Sequence, residues 1–586
     1  MALFPSGDAR VSCRETMTKR REQSQTEKLR KALSEREAQL QEAQARLAAL
    51  EGSTSLQVGR ALTSAAKRPG RGLVRLPRDL YRLWRGDDPA GQAGARRRRT
   101  AEPVRSYDAE RQEARLLAGT AGPQDDRLVV AGVLSPEARA AIDPYVRVVP
   151  LRPHDAQVVF DSIGIDAVLV SASAAAPGTP WAHTGDPAAL DRTRALRWIV
   201  ESAASRGIPS VLVRDAPAPP GLARIGFDAV HDGGLGVPLH RFNPVAVEPD
   251  RAPAPVHVSA ATPARGAAAP LLAALAEDGL RGGAPRWSDL PDVLRAGSGV
   301  VVTDPALADR ALACGTRALL LGSHPEPERV GSALRTVPAD PDARHAAARE
   351  LADVRSAGAL TPEELRSVLR LIFLRLATPV RLAEILGGVR LAPGSGGASL
   401  PLKGRRVALL ALPVDDTSSL ALADDVLNQM HPPAEVVVPK GSARFAGVER
   451  LRSHGLPLRT TANVEPAVDP RPRDWARMAE VAGSGWAALW REPRGAAFLA
   501  DTVCAAECSG ADAVGPAIAS WAAAHGAADA VDWAGADQDY VFVSAIQPDL
   551  ARRDLLVRAL HPGVWNRRGA RLLALNPVHT ADPVGH

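Results

Sequence analysis

The residues best equipped for chemistry are scattered thinly along this chain of 586 residues. Cys504 and Cys508 stand four apart, on one face of a helix, but no His or further Cys lies at ligand spacing beside them. The thirteen histidines are dispersed, as surface or core residues would be rather than as a relay or ligand set. No Walker A loop, H-E-x-x-H, G-x-S-x-G or C-x-x-C occurs. GGLGVP (233–238) carries two glycines of a dinucleotide fingerprint, without the strand-then-helix setting that makes one useful. Arg491 and Arg494 are spaced to meet phosphate bidentately, or to be ordinary surface arginines of an Arg-rich chain.

The elements that would position such groups are α/β in character. LVVAGVL (128–134), DAVLVSA (166–172) and SVLVRDA (210–216) are short apolar runs, as buried parallel strands are. Between them AALDRTRALRWIVESAASRG (188–207) reads as a helix, with Leu190, Leu196, Ile199 and Val200 on one side. SGVVVTD (298–304), the helix PALADRALACG (305–315) and RALLLGS (317–323) repeat the pattern. Strands alternating with helices predict βαβ units and doubly wound, Rossmann-like lobes. Thr361 and Glu364 predict a capping box ahead of LRSVLRLIFLRLA. A Gly/Ser/Pro linker at 391–404 precedes RRVALLALP (405–413), LALADDVLNQM (420–430) and AEVVVP (434–439), a further strand–helix–strand start. VFVSA (541–545) and RLLALN (571–576) read as later strands.

Ahead of these, residues 1–51 contain a coiled-coil pattern. Leu33, Leu40 and Leu47 fall at a, and Leu29, Arg36, Ala43 and Leu50 at d, so a homodimer through this helix is expected, with a solvated single helix as the other reading. Residues 52–124 form a basic segment and linker. Within 71–85 Leu, Val, Tyr and Trp alternate with arginines, which suits either an interfacial helix on anionic lipid or a helix packed on its neighbour. Residues 1–115 hold 25 Lys and Arg against 15 Asp and Glu, whereas the remainder holds 47 against 51. The net charge of +6 therefore belongs to the front of the chain, and the remainder has no basic field to attract nucleic acid. Four cysteines argue against a disulfide framework, and no apolar run reaches membrane-spanning length. A cytoplasmic protein is expected, peripheral at the inner face of the membrane if the basic segment binds lipid.

Four local matches, in order, resemble the spore-coat maturation glycosyltransferase family: GIPSVLVRDAP (207–217), FDAVHDGG (227–234), RFNP (241–244) and ADRALACGTRALLLG (308–322). The resemblance implies two GT-B-type lobes, 125–250 and 251–390, and a nucleotide-sugar donor passed to a glycan acceptor in cell-surface or wall polysaccharide synthesis. It makes Arg214, Asp215, Asn243, Arg310, Gly315 and Thr316 donor-binding candidates. Where the family has a glutamate for the donor ribose, this chain has Arg310, which has no acceptor atoms for hydroxyls.

Residues 405–576, within an expected domain 405–586, resemble the GT-A-type nucleotide-diphosphosugar transferases, with Gln429 and Glu435 at matching points and GWAALWREPRGAAFLADTVCAAECSGADAVG (485–515) as their metal strand and following helix. The acid cluster of that strand is replaced by Trp490, Arg491 and Glu492, leaving one oxygen ligand, so no metal and no cofactor are expected. Arg491 and Glu492 join the donor-binding candidates. A catalytically degenerate homologue that scaffolds active partners is the alternative expectation.

Overall fold

In a computed structural model the described residues are 127–576, apart from 155, 246–250, 253, 260–267, 278, 325–330, 393–396, 398, 518–538 and 559. They belong to one unit, 126–586. The coiled-coil and basic segments lie outside the described residues.

The first lobe begins with β1 (Val129–Val133), α1 (Pro136–Ile142), β2 (Arg147–Pro150), α2 (Ala156–Ser162) and β3 (Ala167–Ser171). It continues through α3 (Leu190–Ser205), β4 (Ser210–Arg214) and β5 (Ala229–Asp232). All pairings are parallel, in the order β2-β1-β3-β4-β5. Every residue of β3 is buried, which explains its unbroken apolar run. Helix α3 buries Leu196, Ile199, Val200 and Ala203, an i, i+3, i+4, i+7 stripe. Leu190, expected on that stripe, is 56% exposed because it opens the helix before the stripe reaches the sheet.

The second lobe repeats the plan with β6 (Val256–Val258), α4 (Ala268–Glu277), β7 (Arg281–Gly283), α5 (Leu290–Ala296) and β8 (Gly299–Val302). Then come α6 (Pro305–Ala313), β9 (Arg317–Leu321), β10 (Leu334–Val337) and α7 (Arg344–Ala357). Its sheet is parallel in the order β7-β6-β8-β9-β10, the same winding as the first.

Helix α8 (Pro362–Leu371) starts with the expected capping box: Glu364 N–H donates to Thr361 Oγ1 and Thr361 N–H donates to the Glu364 carboxylate. The helix follows the expected stretch up to Leu376. It passes into a π turn (Ile372–Leu376), breaks at Ala377 in extended backbone, and restarts as α9 (Thr378–Gly387) with Pro379 in the first turn. That break redirects the chain. Leu382, Ile385 and Leu386 of α9 pack into the first lobe's core with Leu128, Val130 and Val211. The lobes are thus joined twice, and the two crossings touch: Val237 N–H donates to Leu376 O and Thr378 N–H donates to Val237 O.

The third region opens with β11 (Val407–Ala411), α10 (Asp416–Leu427), β12 (Glu435–Pro439), α11 (Ala446–Ser453) and β13 (Leu458–Thr461). Next are α12 (Pro472–Val481), β14 (Trp486–Trp490), α13 (Phe498–Ser509), β15 (Ala513–Gly515) and β16 (Val541–Val543). It closes with β17 (Leu550–Arg552), α14 (Arg553–Val557), α15 (Pro562–Trp565) and β18 (Leu572–Ala574). The sheet order is β13-β12-β11-β14-β17-β15-β18-β16, with β13 to β14 parallel and β17 antiparallel to both its neighbours. One apolar core runs from the second lobe through Leu369 and Phe373 into α13, where Cys504 and Cys508 are buried. Arg370 grips Asp501 with two 2.8 Å bonds, and Arg405, at the end of a 3-10 turn (Leu400–Arg405), grips Glu507. The expected linker therefore ends in a fixed anchor. Among the described residues no helix is long and apolar enough to cross a membrane.

Candidate functional site

In an open parallel sheet the winding reverses on either side of one gap between strands, and loops at the strands' carboxyl ends part there to leave a crevice. Here the gaps lie between β1 and β3 and between β6 and β8. The loops from both gaps line one cleft of about 460 Å³: Ser135 and Ser173 from the first lobe, Ser259 and Asp304 from the second.

The first-lobe wall is a hydroxyl–carboxylate chain. Ser135 Oγ caps α1 by accepting from Ala138 N–H at 3.1 Å and lies 3.0 Å from Ser173 Oγ. The Ser173 hydroxyl donates to Asp215 at 2.6 Å, and the Ser173 N–H donates to its other oxygen at 2.8 Å. Burial raises the Asp215 pKa, and the two Ser173 bonds pull against that rise. Arg214 lines the cleft but is engaged with Asp232 at 3.0 Å, both side chains being substantially exposed. The floor is the glycine loop 233–236. Gly236 has φ +76°, and a Cβ there would stand 2.3 Å from Leu376 O, so only glycine fits at the crossing.

The second-lobe wall holds Arg310. Its guanidinium carbon lies 5.0 Å from the Trp287 ring centre and 5.5 Å from that of Phe242. Burial lowers its pKa, while Asp304, Asp309, Asp215 and Glu137 favour its charge. No carboxylate among the described residues comes within ion-pair distance of it, and its Nε–H is buried without an acceptor.

Of the six candidates in these two lobes, Arg214, Asp215 and Arg310 converge on this cleft and three do not. Asn243 is buried, donating to Leu239 O at 2.7 Å and accepting from Val245 N–H and Arg295. Gly315 ends α6 at φ +76°, and a Cβ there would meet the Arg251 guanidinium at 2.8 Å. Arg251 also bonds Cys314 O and the buried Thr316 Oγ1, so this Gly-Thr turn faces a protein cation. Sequence reading missed Trp287, which sits in a loop without periodicity, and set aside the 233–236 glycines because no helix follows β5 directly.

In the third region, Arg491 and Glu492 sit just past β14, on the rim of a cavity of about 270 Å³ that Trp475 and Trp490 also line. Arg491 lies 5.8 Å from the Trp475 ring centre and donates to Pro548 O at 3.0 Å. Asp549, buried between Arg491 and Arg494, accepts from Arg494 at 2.5 Å; burial pushes its carboxyl up to about 6, against the pull of both arginines. Glu492 points to solvent, 70% exposed. The Trp490 indole donates to Asp425 at 2.8 Å, and Asp425 also accepts from the Arg494 and Gly495 N–H groups, which folds this loop. Among the described residues no cluster of three or more His, Cys, Asp or Glu is arranged to hold a metal ion. Gln429 and Glu435 are likewise internal: Gln429 accepts from Leu499 N–H at the start of α13, and Glu435 accepts from Gly483 and Ser484 N–H.

These features define an α/β protein with parallel, Rossmann-like sheets flanked by helices, and a ligand-sized cleft between two of them. No protein-family model matches the chain. No curated protein matches its sequence.

Proposed function

We propose that the chain is a glycosyltransferase-like protein of bacterial surface or wall polysaccharide synthesis, holding a nucleotide-sugar in the cleft between its GT-B-like lobes. The observation that carries this is the pairing of two identically wound sheets whose crevices open on one another. A ligand there is gripped from both sides, by Asp215 and Ser173 for hydroxyls and by Arg310 for negative charge. Transfer on this reading uses no metal and no cofactor, since Trp490 and Arg491 cannot coordinate one in the GT-A-like third region. The coiled coil supplies a homodimer and the basic segment an anionic membrane contact, at the cytoplasmic side; a glycan is the acceptor and nucleic acid is not a partner.

The second reading is a catalytically degenerate homologue that scaffolds active enzymes. The Arg491–Asp549–Arg494 cluster favours it for the third region, because the arginines there are already occupied by protein. Thermal melts of the full chain with UDP-sugars and GDP-sugars, with and without Mn²⁺, decide between the two. A ligand at 100 times its Kd stabilises by about 2.7 kcal/mol. A metal-independent rise supports the first reading. The absence of any shift with every donor removes it and leaves the scaffold.

A further inference from the structure

Trp287 carries two guanidinium groups on one indole: Arg310 at 5.0 Å and Arg241 at 5.5 Å from its ring centre. Like charges do not share a ring without cause, and neither arginine has a carboxylate partner among the described residues. Two polar hydrogens of this corner are also orphaned. The Trp287 Nε1–H and the Arg310 Nε–H are each sealed from solvent with nothing to accept them. Buried donors in folded proteins almost always have acceptors, and buried cations almost always have counter-charges. Trp287 and Arg310 line the cleft and Arg241 does not, so an anion arriving there meets the Arg310 guanidinium first, and the two sealed donors only once the side chains of the corner shift to admit it.

We infer that the Arg310–Trp287 corner of the cleft, with Arg241 beyond the lining on the same indole, binds the phosphate group of a phosphorylated sugar or nucleotide. A phosphate offers several acceptor oxygens and the negative charge that a water molecule or a sugar hydroxyl lacks. The rest of the cleft decides what the phosphate is attached to. Glu137, Asp215 and Asp304 line it too, and they repel a ligand that is anionic throughout while accepting hydrogen bonds from hydroxyls. The ligand is therefore two-ended, phosphate toward Trp287 and hydroxyl-rich toward Asp215 and Ser173. This deepens the donor-site reading and rests on that cleft being the ligand site. It also reverses the part that the resemblance gives the Arg310 position, from a grip on ribose hydroxyls to a grip on phosphate.

The test is calorimetric titration of the full chain, and of its Arg310→Gln and Trp287→Phe variants, with five probes: UDP-glucose, GDP-mannose, pyrophosphate, glucose 6-phosphate and uridine. Binding of the phosphorylated probes, at least tenfold weaker in Arg310→Gln and partly restored in Arg310→Lys, is the expected result. Trp287→Phe keeps the ring and loses one donor, so it weakens phosphate binding by a smaller factor and stands in should Arg310→Gln fail to fold. Nucleotide-sugars that bind the wild type and these variants equally overturn the phosphate corner and leave the donor reading intact. Glucose 6-phosphate or pyrophosphate binding that depends on Arg310, without any nucleotide-sugar binding, keeps the corner and overturns the nucleotide reading. Silence from all five probes overturns both.

Discussion

Replacing Glu507 with alanine removes one carboxylate that serves three parts of the chain at once. Its oxygens accept from Arg405 Nε at 2.6 Å and Nη2 at 2.9 Å, and from the Tyr145 hydroxyl of the first lobe at 2.8 Å. The Arg405 side chain is 7% exposed and that of Glu507 12%, so the cation left behind cannot turn to water. Breaking one side of such a buried pair costs about 3–5 kcal/mol. The low end is expected here, because Arg405 keeps its bond to Phe373 O and its place 3.9 Å over the Phe373 ring. Tyr145 stays a neutral donor throughout, since burial and then the Glu507 charge hold its pKa well above the ordinary value. For a unit of roughly 460 residues the unfolding entropy at about 2.1 cal/mol/K per residue is near 1 kcal/mol/K, so the melting temperature should fall by about 3 °C. Scanning calorimetry of Glu507→Ala, Arg405→Met and the Arg405→Met/Glu507→Leu pair measures it. The pair should lie within about 1 kcal/mol of wild type, because apolar replacement removes both charges together. A single variant as mild as the double would refute the argument that the uncompensated cation sets the cost.

Glu364→Gln should lose about 1–2 kcal/mol at pH 7, the figure being reduced for partial exposure. Its folded pKa is depressed to about 2, first by the Arg317 fork, so its contribution is full above pH 4.5 and disappears as pH falls toward 2. Urea unfolding at pH 7 and pH 3 should show a smaller loss at the lower pH; equal losses would contradict the assignment. Asp215→Asn should be neutral or slightly stabilising at pH 8 and lose that advantage as the pH falls below the ordinary carboxylate range, since a raised carboxyl pKa means that the charged form opposes folding as pH rises. Melting curves from pH 8 down to pH 3 check it, and a clear destabilisation at pH 8 would count against a strained cleft carboxylate. Gly236→Ala should destabilise by roughly 2 kcal/mol or more through its clash with Leu376 O, whereas Gly234→Ala, with no close neighbour, should change stability by under about 0.5 kcal/mol.

Strands with long apolar runs were readable from the chain because burial on both faces writes itself into every residue, as in β3, β9 and β11. Of the three-residue strands, β16 and β18 were readable as VFVSA and RLLALN, whereas β7 was not. β7 is Arg281–Gly283, wholly exposed, and is held in place by backbone pairing to β6 alone. The π turn at Ile372–Leu376 was not readable either, because LRSVLRLIFLRLA carries a continuous helical stripe up to the break at Ala377. In the cleft, Arg214, Asp215 and Arg310 were candidates only because the resemblance marks their positions, and it marks Asn243, Gly315 and Thr316 equally, although these serve turns and caps inside the lobe. Local sequence separates these two uses of a polar residue only when its partner is close in the chain, and Arg251 is 65 residues from Thr316.

Helix α9 has a consequence for how the protein is made. Leu382, Ile385 and Leu386 cover a face of the first lobe whose own strands finish at Asp232. A ribosome adding 5–20 residues per second needs roughly 8–30 s to travel between those points. Throughout that interval Leu128, Val130 and Val211 lack their cover, and the whole second lobe must emerge before it arrives. The nascent first lobe therefore leaves part of an apolar face uncovered during synthesis, and a truncation anywhere before α9 removes that cover for good.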